Sequence, residues 1–300
     1  MIRAIRDLSP AGKGHAAMLC FSALIAGSFS LGGLIANDIE PAALNAVRFF
    51  IAAAVIGALA LATGGIPRES IRAPWRYLVL GGLFAFYFVL MFEGLKTAAP
   101  VSTAAVFTLT PLMSGLFAWL LMRQVMTPRI ALALAIGAAG ALWVIFRADW
   151  GAFLAFELGR GETIFFIGTI SHALFTPMLK VMNRGEASFV YTFWFQAAGC
   201  LLLTLLGWGE LRATDWASLS WLVWFTVFYL AIFASAGSFL CLQFGARNLP
   251  SAKVMAYTYL VPGWVILWEI ALGHGAPTAL VLVGVGLILV ALALLLKDEG

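Results

Sequence analysis

The sequence predicts an all-α polytopic membrane protein, with ten transmembrane helices arranged as two inverted-topology repeats of five. Three observations carry that prediction. The 300 residues are 63% hydrophobic and only 11% charged, with mean hydropathy +0.99, whereas soluble domains carry about 25% charged residues. Ten apolar stretches follow one another, each near the ~20 residues that a helix needs to cross the hydrocarbon core. The two halves also share a spacing pattern, set out below.

The first stretch, 16–35, follows Arg3, Arg6 and Lys13, as a signal peptide would. Its apolar run is longer than the roughly 7–15 residues of a signal h-region, and no small-residue cleavage site precedes Asn37, so it reads as a retained helix. Span two, 41–62, carries Arg48. Span three, 75–96, holds Tyr87 near its middle and Glu93 near its outer end. Span four, 101–122, puts Thr103, Thr110 and Ser114 on one face, with Phe107 between them and Pro111 in its interior. Span five, 129–146, has the small residues Ala133, Gly137 and Ala141 on one face.

The longest polar interruption, 147–162, comes next and divides the chain into five spans and five. Span six, 163–182, contains Pro177 and a polar stripe of Thr169, His172, Thr176 and Lys180, whose spacings of three and four place them on one face. Span seven, 188–208, includes Gln196. Span eight, 217–241, offers Ser235 and Ser238. Span nine, 252–272, places Tyr257, Trp264 and Trp268 on one face, with Pro262 and Glu269. Span ten, 277–296, carries Gly284 and Gly286. The expected organisation is a segment 1–15, a first repeat 16–146, a linker 147–162, a second repeat 163–296 and a tail 297–300.

Charge sets the expected orientation. With both termini on one side, that side has 13 Lys and Arg, among them Arg68, Arg72, Arg76, Arg123, Arg129, Lys180, Arg184, Arg247, Lys253 and Lys297; the other has four, Lys96, Arg147, Arg160 and Arg212. The positive-inside rule places both termini in the cytoplasm. The opposite face is acidic, with Asp38, Glu40, Asp149, Glu157, Glu162, Glu210 and Asp215. Basic residues spread over short loops form no patch for nucleic acid. Cys20, Cys200 and Cys241 all fall within spans, so no disulfide framework is expected and they read as small buried residues.

The halves echo one another. Gly94 leads to Pro111 and Gly245 leads to Pro262, seventeen residues on in each case; Lys96 matches Arg247 and Thr97 matches Asn248. Five spans per copy is odd, so consecutive copies enter the membrane from opposite sides. Many secondary transporters use that architecture, with the substrate near the midplane between the halves.

Pro41 to Arg48 at the start of span two, Gly94-Leu through Ala104 to Pro111, and the echo from Gly245 to Pro262 resemble the drug/metabolite transporter superfamily, in its ten-helix EamA-type branch. The resemblance spans essentially the whole chain, and the aromatic-rich spans look like those of aromatic amino acid exporters. It implies an inner-membrane exporter with a central cavity lined mainly by helices 1, 3, 4, 6, 8 and 9. The family often has Glu just after spans four and nine; here Arg123-Gln124 and His274-Gly275 stand there, and Gln196 stands where Arg48 would map.

Ionisable residues within a membrane are costly and so are candidates for function. Arg48 lies about 10 Å deep at 1.5 Å per residue. With Glu93 and Glu269 it reads either as an outer gate or carboxylate clamp, or as a structural arginine that snorkels or pairs with Glu93 or Glu40. His172 either shuttles a proton or bonds substrate, or bonds a carbonyl within the bundle. Tyr87, Thr110, His172, Thr176, Ser235, Tyr257 and Trp264 are the candidate substrate contacts. Packing and helix-internal hydrogen bonds account equally well for their hydroxyls and rings. Trp75, Tyr77, Trp150, Trp208, Trp216 and Trp221 fit the interfacial belt. Pro111, Pro177 and Pro262 are candidate hinges.

No HExxH, His/Cys cluster or P-loop occurs, so neither a metal nor another cofactor is expected. The absence of a mid-membrane Asp or Glu argues against proton-coupled export of organic cations. The expected function is secondary export of neutral amino acids, aromatic ones included, by alternating access. Broad metabolite or drug export is the alternative within transport. Outside transport, a lipid scramblase would need its polar stripe to face lipid, and a membrane enzyme would need a catalytic cluster. The expected partners are a small-molecule substrate and the lipid bilayer, with the chain a monomer or a homodimer.

Overall fold

The computed structural model describes residues 9–125, 127–154, 158–249, 254 and 256–296, with 246 and 247 as backbone only. Arg3, Arg6, Glu157, Lys253 and Lys297 lie outside the described residues, as does the side chain of Arg247. The described residues form helices and short connections, with no strand among them. Among the described residues nine helices are long and apolar enough to cross a membrane: Pro10–Ile35, Pro41–Thr63, Trp75–Leu95, Pro100–Met122, Pro128–Ile145, Arg160–Met182, Ser188–Leu206, Trp221–Gly245 and Ala279–Leu296. The predicted ninth span is seen as a 3-10 turn, Tyr257–Leu260, continuing into the helix Val261–Ala271; residues 252, 253 and 255 of its predicted start are outside the described residues.

Boundaries shift where local chemistry dictates. Span one starts at Pro10 rather than residue 16, because Ser9 caps it: its side chain accepts from the Gly12 N–H at 3.1 Å and Pro10 opens the first turn. The predicted terminal segment is therefore partly helical. Span six starts at Arg160. The 147–162 linker contains a helical turn, Trp150–Leu154, whose start is held by Asp149 Oδ1 accepting from Gly151 N at 2.7 Å and Ala152 N at 3.2 Å.

Pro111 and Pro262 prove to be second residues of new helical segments rather than interior kinks. Span four is broken at Thr108–Leu109 into Pro100–Phe107 and Thr110–Met122, and Pro262 follows the 3-10 turn in the same way. A proline at a helix start loses no helical hydrogen bond. Pro177 does lie within its helix. Span eight has a different irregularity, a π-helical stretch Tyr229–Gly237 between the α-helical Trp221–Phe228 and Ser238–Asn248.

The packing is that of an inverted repeat. Span three packs on six and span eight on one; span four packs on six and span nine on one; span three packs on seven and span eight on two. Exchanging each span for its counterpart five places away turns every pair into its mate. Spans two with seven, and five with ten, pair across the axis itself. The Gly94/Gly245 echo has a steric cause: a Cβ on Gly94 would meet the Gly161 carbonyl oxygen at 2.8 Å where spans three and six cross, and one on Gly245 would meet the Met18 side chain where eight and one cross. The small-residue faces of spans five and ten likewise pack on each other within the monomer, Gly140 against Gly284.

Polar anchors lie at the two ends. On the basic side, buried Arg76 donates to the Met182 and Arg72 carbonyls and pairs with Glu186 at 2.6 Å, tying the start of span three to the end of span six. Partial burial opposes the charge on Glu186, but hydrogen bonds from Arg76 and the Arg184 N–H outweigh it and hold the carboxyl below its ordinary range. On the acidic side, Lys96 bridges Glu93 at 2.9 Å and Glu40 at 3.0 Å. Partial burial opposes the Lys96 charge too, and these two carboxylates outweigh it, raising its pKa. Of the cysteines, Cys200 and Cys241 are partly buried, but Cys20 is exposed on the outside of span one, contrary to the burial expected of it.

Candidate functional site

Spans one, two, three, four, six, eight and nine enclose a central cavity of about 100 Å³. Its wall is dominated by rings. On span three, Phe84, Tyr87, Phe88 and Met91 fall at i, i+3, i+4 and i+7, the spacing that brings side chains to one helical face. Phe84 stacks on Phe175 with centroids 4.7 Å apart, and Tyr87 meets Phe88 edge-on at 4.7 Å. Such pairs contribute about 0.5–1.5 kcal/mol each beyond their buried area, so this wall is stiff.

His172 sits within it, 4.5 Å from the Tyr87 ring and 5.4 Å from that of Phe107. Its Nδ1 is buried without a hydrogen-bond partner. Thr176, one turn on, lines the cavity but donates to the His172 carbonyl at 3.1 Å, and Thr169 is buried and bonds the Phe165 carbonyl. The polar stripe of span six therefore faces the bundle, and Lys180 continues it into a second cavity.

Among the described residues, Arg48 is the only charged one in the central wall. It is 0% exposed. It pairs with neither Glu93 nor Glu40, its expected structural partners. Nε donates to Ser235 Oγ at 3.0 Å, and the guanidinium carbon lies 3.7 Å from the centre of the Phe88 ring. Nη1 and Nη2 have no partner. Ser235 belongs to the π-helical stretch of span eight, an irregularity common at functional sites.

A second cavity of about 360 Å³ lies toward the basic side, between spans four, five, six, eight, nine and ten. Its wall includes Pro111, Pro177, Gln124 and Lys180. Among the described residues only Thr176 and Leu242 line both cavities, and they form the partition between them.

Of the candidate substrate contacts, the structure brings Tyr87, His172 and Thr176 together around the central cavity, with Arg48, and sets Ser235 behind Arg48. The others serve elsewhere. Thr110 is buried at the break in span four with its hydroxyl unpartnered. The Tyr257 hydroxyl is 2.8 Å from His15 Nδ1, and Trp264 Nε1 donates to Ser22 Oγ at 3.0 Å; both contacts join span nine to span one. Glu93 is in the Lys96 bridge, and Glu269 pairs with His274 at 2.8 Å. Phe84, Phe88 and Phe175 are not among the residues the sequence singles out, although the helical spacing of the first two around Tyr87 marks their shared face. Among the described residues no group of His, Cys, Asp and Glu is placed to hold a metal ion.

Known proteins fit this architecture. One solved chain, described only as a crystal structure of protein, superposes with TM-score 0.69 at 23% identity, covering 93% of this chain and 96% of that one. An uncharacterized transporter of Bacillus subtilis (strain 168), YyaM, is 26% identical over 281 residues, 93% of this chain and 91% of that protein. The model of the EamA-like transporter family matches twice, over residues 12–146 and 159–297, once for each half of the inverted pair. The chain is thus a multi-pass membrane protein belonging to the EamA-like transporter family.

Proposed function

We propose that the protein is a secondary carrier of the cytoplasmic membrane that exports small amphipathic metabolites, neutral and aromatic amino acids among them, by alternating access. The observation that carries this reading is the pair of cavities. A ring-lined chamber between helices of both halves abuts a larger chamber on the basic side, with Leu242 and Thr176 between them. The larger volume falls within the range of small-molecule sites, about 300–1,000 Å³; the central one lies below it. That suits a carrier whose central site is separated from the cytoplasm by a thin partition. Both termini are cytoplasmic in this reading, and the repeats, 16–146 and 163–296, rock against each other about the site.

The span-six stripe also separates a carrier from a scramblase. Thr169 is buried and His172 faces the cavity rather than lipid. Broad-specificity export is the second reading, favoured by a wall with few hydrogen-bonding groups.

The test is counterflow in proteoliposomes with radiolabelled Phe, Trp, Leu, Thr, Lys and a quaternary amine, with and without a pH gradient. Saturable counterflow of the neutral amino acids supports the reading. Flux of the quaternary amine alone rejects the amino-acid assignment, and lipid flip-flop without solute flux rejects the carrier.

A further inference from the structure

We propose that the central site recognises its cargo by a carboxylate held on Arg48 and provides no counterpart for an ammonium group, so that its preferred ligand is a monocarboxylate with a flat apolar body. The inference rests on the carrier reading for the location of the site, and it defines the substrate class.

Arg48 carries the argument. A guanidinium within a bilayer is normally paired, hydrated or snorkelled to an interface. This one is fully buried, with one hydrogen bond to Ser235 and one ring face, on Phe88. Ser235 is neutral, so the charge has no acidic neighbour to neutralise it. Nη1 and Nη2 are the two nitrogens left unpartnered, and together they form the edge that grips a carboxylate through two parallel hydrogen bonds. Ser235 and Phe88 fix the plane of the guanidinium; both Nη atoms are buried, so a carboxylate reaches that edge only as the surrounding side chains move.

The rest of the wall defines what accompanies the carboxylate. Among the described residues no Asp or Glu lines either cavity. An α-ammonium entering with the carboxylate would lose its hydration and find no carboxylate among the described lining residues, only ring faces, His172 and hydroxyls, of which those of Thr176 and Ser238 already donate to their own helix. The rings of Phe84, Tyr87 and Phe175 instead suit a planar apolar body. An uncharged acid or amide leaves the Arg48 charge uncompensated, and a cation adds to it. The order that follows is carboxylate alone first, zwitterion second, then neutral amide, with the amine last. The 100 Å³ chamber accepts such a molecule only with Leu242 displaced, since even a benzene-sized cavity is about 150 Å³.

The test uses four molecules with one body: 3-phenylpropionate, phenylalanine, 3-phenylpropanamide and phenethylamine. Equilibrium binding to the purified full-length chain in detergent is measured for each, beside counterflow in proteoliposomes. 3-Phenylpropionate is expected to bind at least about tenfold tighter than the amide, the difference that about 1.4 kcal/mol of charge-assisted bonding makes, and the amine not at all. Arg48→Gln is expected to abolish that preference while keeping its thermal midpoint. Arg48→Lys, which retains the charge without the fork, is expected to keep part of it. Equal binding of amide and carboxylate, tighter binding of phenylalanine than of 3-phenylpropionate, an unchanged preference in Arg48→Gln, or no binding of any of the four overturns the proposal. Counterflow without carboxylate preference overturns this inference and leaves the carrier; carboxylate binding without flux leaves the site and overturns the carrier.

Discussion

Gly140 and Gly284 meet backbone to backbone where spans five and ten cross. A Cβ on Gly140 would lie 2.6 Å from the Gly284 carbonyl oxygen, and one on Gly284 would lie 2.8 Å from that of Gly140. Neither obstacle is a side chain that can turn away, so either substitution forces the helices apart. Overpacking of this kind costs about 1–3 kcal/mol. Gly140→Ala should therefore lower the thermal midpoint in detergent. Gly286→Ala, with nothing within 4 Å of its new methyl group, should leave it unchanged or raise it slightly, because alanine is the better helix former by about 1 kcal/mol. Equal midpoints for the two variants would contradict the crossing.

Buried Arg76 and partly buried Glu186 pair at 2.6 Å. Removing one member strands the other, at a cost between the ~1 kcal/mol of an exposed pair and the roughly 3–5 kcal/mol of a fully buried one. Glu186→Gln should be among the more destabilising single substitutions on the basic side. The pH dependence has a definite sign. The folded-state pKa of Glu186 lies below its unfolded value, about 4.3. Its contribution is complete above that value and is lost as pH falls through the lower folded one. Thermal melts from pH 7 to pH 3 should show the wild-type midpoint falling toward that of Glu186→Gln at the acid end.

On the acidic side, the Lys96 bridge to Glu93 and Glu40 ties the end of span three to the start of span two. All three groups are partly exposed, so each ion pair contributes no more than about 1 kcal/mol. Lys96→Met should hardly alter stability, but should raise counterflow rates if opening at this face limits turnover. Because the Lys96 pKa is raised, the bridge persists to pH values above the ordinary lysine range, about 10.4, and is lost only as pH rises beyond its folded pKa. On this account the wild-type rate should be flat from pH 7 to pH 9. A Lys96→Met rate equal to the wild-type rate would show that the bridge does not gate transport.

Among the described residues, Leu242 and Thr176 are the only side chains shared by the two cavities. Leu242→Trp should fill the passage and abolish counterflow. Leu242→Ala should join the chambers, speed exchange and admit bulkier bodies. Normal flux through Leu242→Trp would show that cargo takes another path.

The sequence by itself determined the class of the molecule. Apolar runs near bilayer thickness leave few alternatives, because backbone groups in hydrocarbon must be satisfied within the helix. The Gly94-to-Pro111 and Gly245-to-Pro262 echo revealed the duplication, and an odd number of spans per copy made it inverted. Arg48, Tyr87, His172 and Thr176 could be marked as candidates because polar and charged groups are conspicuous in such a background. What each of them touches depended on how helices from the two halves cross. Arg48 meets Ser235 from 187 residues away, and only the π-helical turn of span eight places that hydroxyl. Tyr257 and Trp264 have the same residue chemistry as the cavity rings, yet their polar atoms are taken up by His15 and Ser22 of span one. Helical periodicity says which residues share a face, but not which neighbour that face meets. In a bundle that is apolar throughout, hydrophobic pattern does not separate a face toward lipid from a face toward protein, so packing decided which rings line the cavity and which only hold the helices together.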